Sequence, residues 1–183
     1  MSKAVLISIR PKWVVRITSG KKTFEVRKNR PKLELPFKCY IYETQGRTET
    51  PWIDEDGHTI FKGRGLVIGE FLCDTILPIQ VECSSPVALE AGIEIPGTCL
   101  TDRQILEYLG NGKRGFAWHI SELEIYDAPK SLSEFRRICD KECNCDGCAK
   151  YWANGGDCGI NSLQIKRPPQ SWRYVEELIN GQS

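Results

Sequence analysis

The spacing of apolar residues near the start of the chain predicts a strand, a helix and a second strand. Residues 4–9 form an apolar run of the length of a buried strand. Pro11 stands at the position where a helix favours proline, and Gly20 stands where a helix ends in the left-handed conformation. Residues 23–27 alternate between polar and apolar, which predicts a half-buried strand with Glu25 among the polar groups on its open face.

The rest of the chain follows a pattern of short strands, turns and few helices. Strands are predicted at residues 39–44, 65–77 and 115–126, a helix at 101–109, a loop at 84–98 and a helical turn at 131–137. The Asp56-Gly57 pair predicts a hairpin, and an extended segment beginning at Ile165 leads into a closing helix that ends near Ile179. Without a strand-helix-strand rhythm, the pattern favours an α+β fold built on a small, mostly antiparallel barrel.

The length of 183 residues suits one domain with insertions. We expect residues 1–135 to form the barrel domain, with residues 45–65 as a hairpin excursion from it. Residues 136–160 form a cysteine-rich insertion, and residues 161–183 form a C-terminal segment and helix that pack back on the barrel.

Charge is distributed unevenly along a chain whose formal net charge is only +1. Residues 1–38 hold eleven Lys or Arg against two acids, so the remainder is acidic. A basic segment of this kind attracts anionic partners such as nucleic acid, although a solvated lysine-rich face has the same composition.

The beginning of the chain does not have the pattern of a secretion signal, because its apolar run stops at Arg10 and no small-residue cleavage site follows. No stretch approaches the apolar length of a membrane span. Nine cysteines without a secretion signal favour reduced thiols or a metal site over disulfides. These features predict a cytoplasmic protein without a membrane partner.

The segment Gly20-Lys21-Lys22-Thr23-Phe24-Glu25-Val26-Arg27 holds the main candidate site. Gly20 permits a sharp turn and a close backbone approach to a ligand. Glu25 and Arg27 share one strand face, where a carboxylate can accept from an amino group and a guanidinium can bind phosphate or a carbonyl edge. Lys22 stands at the start of the strand. Strict alternation points its side chain away from the face that holds Glu25 and Arg27, but strand twist can bring its ammonium back toward them. The alternative is a surface ion pair without function.

This segment fits G-x-K-x-x-E-x-R and resembles the ASCH family, a branch of the PUA-like superfamily of small β-barrels. The resemblance includes the preceding helix and the strands at residues 67–71 and 115–120, which together span most of residues 4–126. Through the closing Arg167-Pro-Pro-Gln-Ser-Trp172 segment, the whole chain also looks like ASCH proteins of phages and prophages.

The resemblance implies RNA, a nucleotide or a modified base as ligand, held in a cleft beside the motif. Some relatives resemble RNA-binding modules and others resemble ribonucleases. One branch removes acyl groups from N4-acetylated cytidine, with the motif lysine as a catalytic residue. The present chain keeps that lysine as Lys22 but has Glu25 where the amidohydrolases have threonine.

Further residues are candidates for the same cleft. Trp118 is in phase with its apolar neighbours and is expected in the core, whereas His119 points the other way and can stack on a base or act near neutral pH. Basic residues that can hold phosphates around the cleft are Arg10, Lys28, Arg30 and Arg114. Each of them can equally be solvated surface.

A cysteine cluster is the second distinctive feature. The Cys145-x2-Cys148 spacing is typical of a zinc knuckle, and further ligands are available nearby. The candidate ligands are Cys139, Cys143, Cys145, Cys148 and Cys158. A structural Zn²⁺ would stabilise a segment with almost no apolar core, and a reduced, flexible insertion is the alternative. By contrast, Cys39 and Cys73 lie in predicted strands and are expected to be packing residues.

Three functions remain open on sequence grounds. The leading hypothesis is a domain that binds RNA or a nucleotide around Lys22, Glu25 and Arg27. An enzyme, either a ribonuclease or a nucleoside amidohydrolase, would use Lys22 as base or nucleophile and Glu25 to transfer a proton, with Arg27 beside them. The third is a phage-encoded module whose cysteine-rich insertion binds a protein partner.

Overall fold

The structure is a computed structural model that describes residues 2–46, 52–53, 57, 59–60, 62–82, 85–88, 96–138 and 163–178. Within these residues there are two helices, α1 (Pro11–Thr18) and α2 (Asp102–Leu109), and a 3-10 turn at Leu132–Glu134. The strands are β1 (Lys3–Ile9), β2 (Phe24–Arg27), β3 (Phe37–Glu43), β4 (Trp52–Ile53), β5 (Thr59–Ile60), β6 (Val67–Cys73), β7 (Ile76–Glu82), β8 (Ser85–Ala88), β9 (Arg114–His119), β10 (Ser121–Lys130) and β11 (Trp172–Glu176).

The described strands form two main sheets and the small β4–β5 hairpin. One sheet has the order β10-β6-β3-β1-β11, and the other has the order β2-β9-β7-β8. Pairing is antiparallel except between β1 and β3, which run parallel because α1 and β2 lie between them in the chain. The α+β class and the mostly antiparallel arrangement are confirmed. The two hydrogen-bonded ladders stay separate within the described residues, so the fold is barrel-like rather than a closed barrel.

Both sheets are covered on two faces. Trp118 of β9 packs with Val5, Ile7, Cys39 and other residues of the five-stranded sheet, which places the main core between the sheets. A second cluster covers the opposite face of the five-stranded sheet with residues such as Phe135 and Ile165, and a third joins the four-stranded sheet to α2. This layering leaves the inner face of β2 directed toward the five-stranded sheet.

The ends of the helices agree with the sequence prediction. Pro11 occupies the first turn of α1, and Gly20 follows the helix with a φ of 73°, a left-handed conformation that glycine adopts without steric cost. At α2, Thr101 accepts from the backbone N–H of Gln104 while the Gln104 side chain accepts from the N–H of Thr101. This reciprocal capping fixes the start of the helix.

The predicted strand at residues 65–77 is wrong as a single element. It is two strands, β6 and β7, which belong to different sheets and are separated at Asp74-Thr75. The predicted strand at residues 115–126 also divides, at Ile120, into β9 and β10. A run of strand-forming residues does not show where the chain turns from one sheet into the next, because the pattern continues through the short connection on both sides. The predicted loop at residues 84–98 likewise contains the strand β8.

The C-terminal segment corrects the prediction of a closing helix. Residues Trp172–Glu176 form β11, which pairs antiparallel with β1 at the edge of the five-stranded sheet. The barrel-like core is therefore completed by residues from both ends of the chain. The predicted hairpin at Gly57 is present as β4 and β5. The end of the expected helix, Ile179, lies outside the described residues.

Within the described part of the chain, neither helix has the length and apolar character needed to cross a membrane.

Candidate functional site

A cleft of about 830 Å³ opens where the end of β1, the first turn of α1, strand β2 and helix α2 meet. The segment Pro168–Gln170, just before β11, completes its wall. Lys22, Glu25 and Arg27 all line this cleft. The three predicted site residues are thus brought together in one hollow.

Lys22 is almost completely buried, with 2% of its surface exposed. Its Nζ donates to the carbonyl of Phe24 at 2.7 Å and to the carbonyl of Thr98 at 2.6 Å, and it lies 3.4 Å from Glu25 Oε2. The residue precedes β2, so strand alternation does not govern its direction. Instead its backbone N–H donates to Arg16 O at the end of α1, which turns the side chain inward.

Glu25 and Arg27 form a buried ion pair on the inner face of β2. Glu25 Oε1 lies 2.9 Å from Arg27 Nη2, and that same Nη2 donates to Ser8 O of β1 at 2.7 Å. Arg27 Nη1 donates to the hydroxyl of Ser171 at 3.2 Å. The guanidinium therefore joins β1, β2 and the segment before β11. Its Nε is buried and has no hydrogen-bond acceptor among the described residues.

The prediction that the polar residues of this strand occupy an open face is wrong. Glu25 pairs in register with Trp118, so the two side chains share one face, and Trp118 is fully buried in the core between the sheets. Glu25 and Arg27 are exposed by only 7% and 6%. Val26 packs on the other face, toward α2. Alternation showed the two faces correctly but could not show that both are covered.

The rim of the cleft combines basic and aromatic groups. Arg10 is exposed at the mouth, and Lys12 Nζ lies 4.3 Å from the centre of the Trp13 ring. Tyr108 of α2 lines another part of the wall and is 37% exposed. The lining holds four basic residues against two acidic ones, so its field favours an anion. The basic residues are Arg10, Lys12, Lys22 and Arg27, and the acidic ones are Glu25 and Glu107.

Five other predicted site residues do not line the cleft. Gly20 is exposed beyond the end of α1, and Arg114 is exposed at the start of β9. Lys28 lies outside the lining but is close, with its Nζ 5.3 Å from the ring centre of Tyr108. Arg30 lies 5.8 Å from the ring centre of Phe116. His119 faces away from Trp118, beside Phe24.

His119 instead forms a pair with Asp74 at the turn between the two sheets. Its Nδ1 lies 2.7 Å from Asp74 Oδ1, and the side chains are 33% and 43% exposed. Burial raises the pKa of the Asp74 carboxyl, but the hydrogen bond and the charge of His119, together with a hydrogen bond from Ser121, outweigh that effect, so the pKa is lowered overall. This pair is separate from the cleft.

Residues that the sequence prediction missed hold the cleft wall in place. Ser8 donates its hydroxyl to Pro169 O at 2.6 Å and its N–H to Ser171 O at 2.9 Å. Gln170 lies between these two attachments and lines the cleft. The Arg167–Trp172 segment stands out in the sequence for its resemblance to ASCH proteins. Nothing in the sequence indicated that this segment lies beside Arg27.

Seven of the nine cysteines have a role predicted from the sequence, and they divide into two groups. Burial raises the pKa of the Cys39 thiol and raises that of Cys73 to about 12, which agrees with their expected role as packing residues. The five candidate zinc ligands, Cys139, Cys143, Cys145, Cys148 and Cys158, lie outside the described residues. The zinc site therefore stays a prediction.

Two packed sheets, a short helix leading into a buried Lys-Glu-Arg cluster and a neighbouring cleft define a barrel-like α+β domain. Solved structures with the same architecture belong to ASCH proteins. The crystal structure of an ASCH protein from Zymomonas mobilis matches at a TM-score of 0.55 and 20% sequence identity, covering 95% of this chain and 88% of that chain. The fold that the motif predicted is therefore confirmed.

Two variants of the Zymomonas mobilis protein match equally well. A tyrosine-to-phenylalanine variant has a TM-score of 0.56 at 20% identity and covers 96% of this chain and 92% of its own. A serine-to-alanine variant has a TM-score of 0.55 at 19% identity and covers 95% and 89%. No protein-family model and no curated protein matches the chain.

Proposed function

We propose that this chain is an ASCH protein that binds RNA, a nucleotide or a modified base in the cleft beside β2. The observation that carries the proposal is the convergence of Lys22, Glu25 and Arg27 on one wall of an 830 Å³ cleft. A cleft of this size accommodates a nucleotide.

The chemistry of the lining supports this class of ligand. Trp13 and Tyr108 offer aromatic surface on which a base can stack, a contact worth about 1–3 kcal/mol per base. Arg10 and Lys12 stand at the mouth, where a phosphate remains partly solvated. The buried Nε–H of Arg27 is the kind of donor that a phosphate or carbonyl oxygen satisfies.

Salt-dependent binding tests the proposal. The protein is titrated with short oligoribonucleotides of each base, and tryptophan fluorescence reports binding. The titrations are repeated between about 50 and 200 mM salt, a range in which affinity due to phosphate contacts falls steeply. We expect measurable affinity that falls with salt. In Arg10→Ala, the slope of log affinity against log salt concentration should be reduced by about 1. Lys3→Ala, an exposed basic residue outside the lining, serves as the control. Absence of binding at low salt would refute the proposal.

The contacts of Lys22 favour binding over hydrolysis. Its ammonium donates to two carbonyls and faces a carboxylate, so losing a proton would break an existing contact. A general base or nucleophile needs a free lone pair directed at substrate. Incubation with RNA and with acylated cytidine, beside Lys22→Ala, separates the two functions. Turnover that the substitution abolishes would establish an enzyme, and binding without turnover would establish a binding domain.

A further inference from the structure

We propose that Gln170 determines specificity in this cleft by reading a ligand edge that carries a hydrogen-bond donor beside an acceptor. This inference rests on the proposed function and concerns selection among ligands rather than binding itself. The first argument is the rigidity of the segment that carries Gln170.

The backbone around Gln170 is fixed on both sides. Pro169 O accepts from the hydroxyl of Ser8 at 2.6 Å, and Ser171 O accepts from the N–H of Ser8 at 2.9 Å. Ser171 also accepts from Arg27, which is itself paired with Glu25. Pro168 and Pro169 further restrict the chain, since the proline ring fixes φ. The backbone that carries Gln170 therefore keeps its position when a ligand arrives.

The amide of Gln170 is free to bind. The residue is exposed and lines the cleft, and its side chain makes no hydrogen bond within the described part of the chain. A glutamine amide offers both an acceptor oxygen and an NH₂ donor, which can pair with two adjacent groups on a base edge.

The other glutamine of the cleft does not have this freedom. Gln104 Oε1 accepts from Thr101 N at 3.1 Å as part of the helix cap, so its acceptor is occupied and its NH₂ alone remains available. The nearby charged groups Glu25 and Arg27 are bound to one another. Gln170 is therefore the cleft glutamine whose side-chain amide can both donate and accept at two adjacent positions.

Substitution at Gln170 tests the inference with four oligoribonucleotides that differ in their base. The wild type is expected to prefer one or two of them, and Gln170→Ala is expected to reduce the ratio of best to worst affinity about tenfold, the scale of one bidentate contact. The salt slope should not change, because no phosphate contact is removed. Gln45→Ala, an exposed glutamine outside the lining, should retain the wild-type ratio.

Gln170→Glu supplies an independent readout. A carboxylate accepts only, so the preference should move toward guanine, whose N1–H and amino group donate side by side. A wild type that binds all four equally, or a Gln170→Ala variant that keeps the wild-type ratio, would overturn the inference while leaving the proposed function intact. A wild type that binds none would overturn both. Unchanged melting temperatures establish that the variants are folded.

Discussion

Two Lys–Glu contacts, one buried and one partly exposed, occupy different regions of this fold, and they differ in what surrounds them. In the cleft, Glu25 lies between Lys22 and Arg27. In the five-stranded sheet, Glu70 pairs with Lys38 at 2.6 Å and accepts from the hydroxyl of Tyr126. The second cluster borders a hollow of about 290 Å³ that is lined by three acidic residues and one lysine.

The contrast shows that an ion pair alone does not define a binding site. Lys38, Glu70 and Tyr126 lie on neighbouring strands of the five-stranded sheet, and Lys38 Nζ also lies 3.7 Å from Glu177 Oε1, just after β11 of the same sheet. Burial and the bond to Glu70 both raise the pKa of Tyr126, which keeps the phenol protonated as the donor. The cleft cluster instead joins β2 of the four-stranded sheet to β1 of the five-stranded sheet and to Ser171, and it lines a larger, basic hollow with aromatic walls.

The largest expected difference between the two regions is in stability. Arg27→Met removes the partner of Glu25 and the donor to Ser8 O, and leaves a buried carboxylate with Lys22 as its remaining cation. Breaking a buried pair in this way costs about 3–5 kcal/mol. Urea unfolding measures the loss of free energy of unfolding.

Lys38→Met is the matched substitution in the second region. Its side chain is 17% exposed, against 8% for Arg27, and Tyr126 continues to donate to Glu70. We expect a loss of about 1.5 kcal/mol, the scale of one hydrogen bond to a charged group. Equal losses in the two variants would mean that Arg27 does not join the segments as described.

Oligoribonucleotide affinity should be sensitive to substitution in the cleft cluster and insensitive to substitution in the second cluster. Glu25→Gln keeps the shape of the side chain but removes the charge that orients Lys22 and Arg27, so we expect about a tenfold loss of oligoribonucleotide affinity, the scale of one charge-assisted contact. Glu70→Gln should leave affinity unchanged, since Glu70 is not part of the cleft lining. Fluorescence titration at constant salt compares the two. A loss with Glu70→Gln as large as with Glu25→Gln would indicate a stability effect rather than a site.

The sequence predicted most elements and the identity of the cleft cluster, because both depend on local patterns. Pro11 and Gly20 mark the ends of α1, and the motif spacing places Lys22 just before β2. The resemblance to ASCH proteins supplied the fold, which periodicity alone could not distinguish from other small barrels.

What the sequence could not predict depends on contacts between distant segments. Ser8 and Ser171 meet Arg27 across separations of 19 and 144 residues, and no local pattern encodes such contacts. The same reason explains the error at the C-terminus, where pairing with β1 makes residues Trp172–Glu176 a strand. His119 is a wrong candidate for the cleft because strand alternation gives two faces but does not give the neighbour of each face.

The smallest expected effect concerns Asp74 and His119, an exposed pair that extends the comparison to the protein surface. The lowered pKa of Asp74 means that its contribution to stability is complete above the ordinary value of 3.8 and is lost as pH falls through the lowered pKa. Because Asp74 is 43% exposed, solvent screening limits the contribution to less than about 1 kcal/mol. Asp74→Asn should therefore lower the free energy of unfolding slightly at about pH 6, and the difference from wild type should shrink as pH falls below 3.8. Urea unfolding across this range measures it, with Asp127→Asn, a second exposed aspartate, as control. A difference that grows at acidic pH would show that the pair does not stabilise the charged carboxylate.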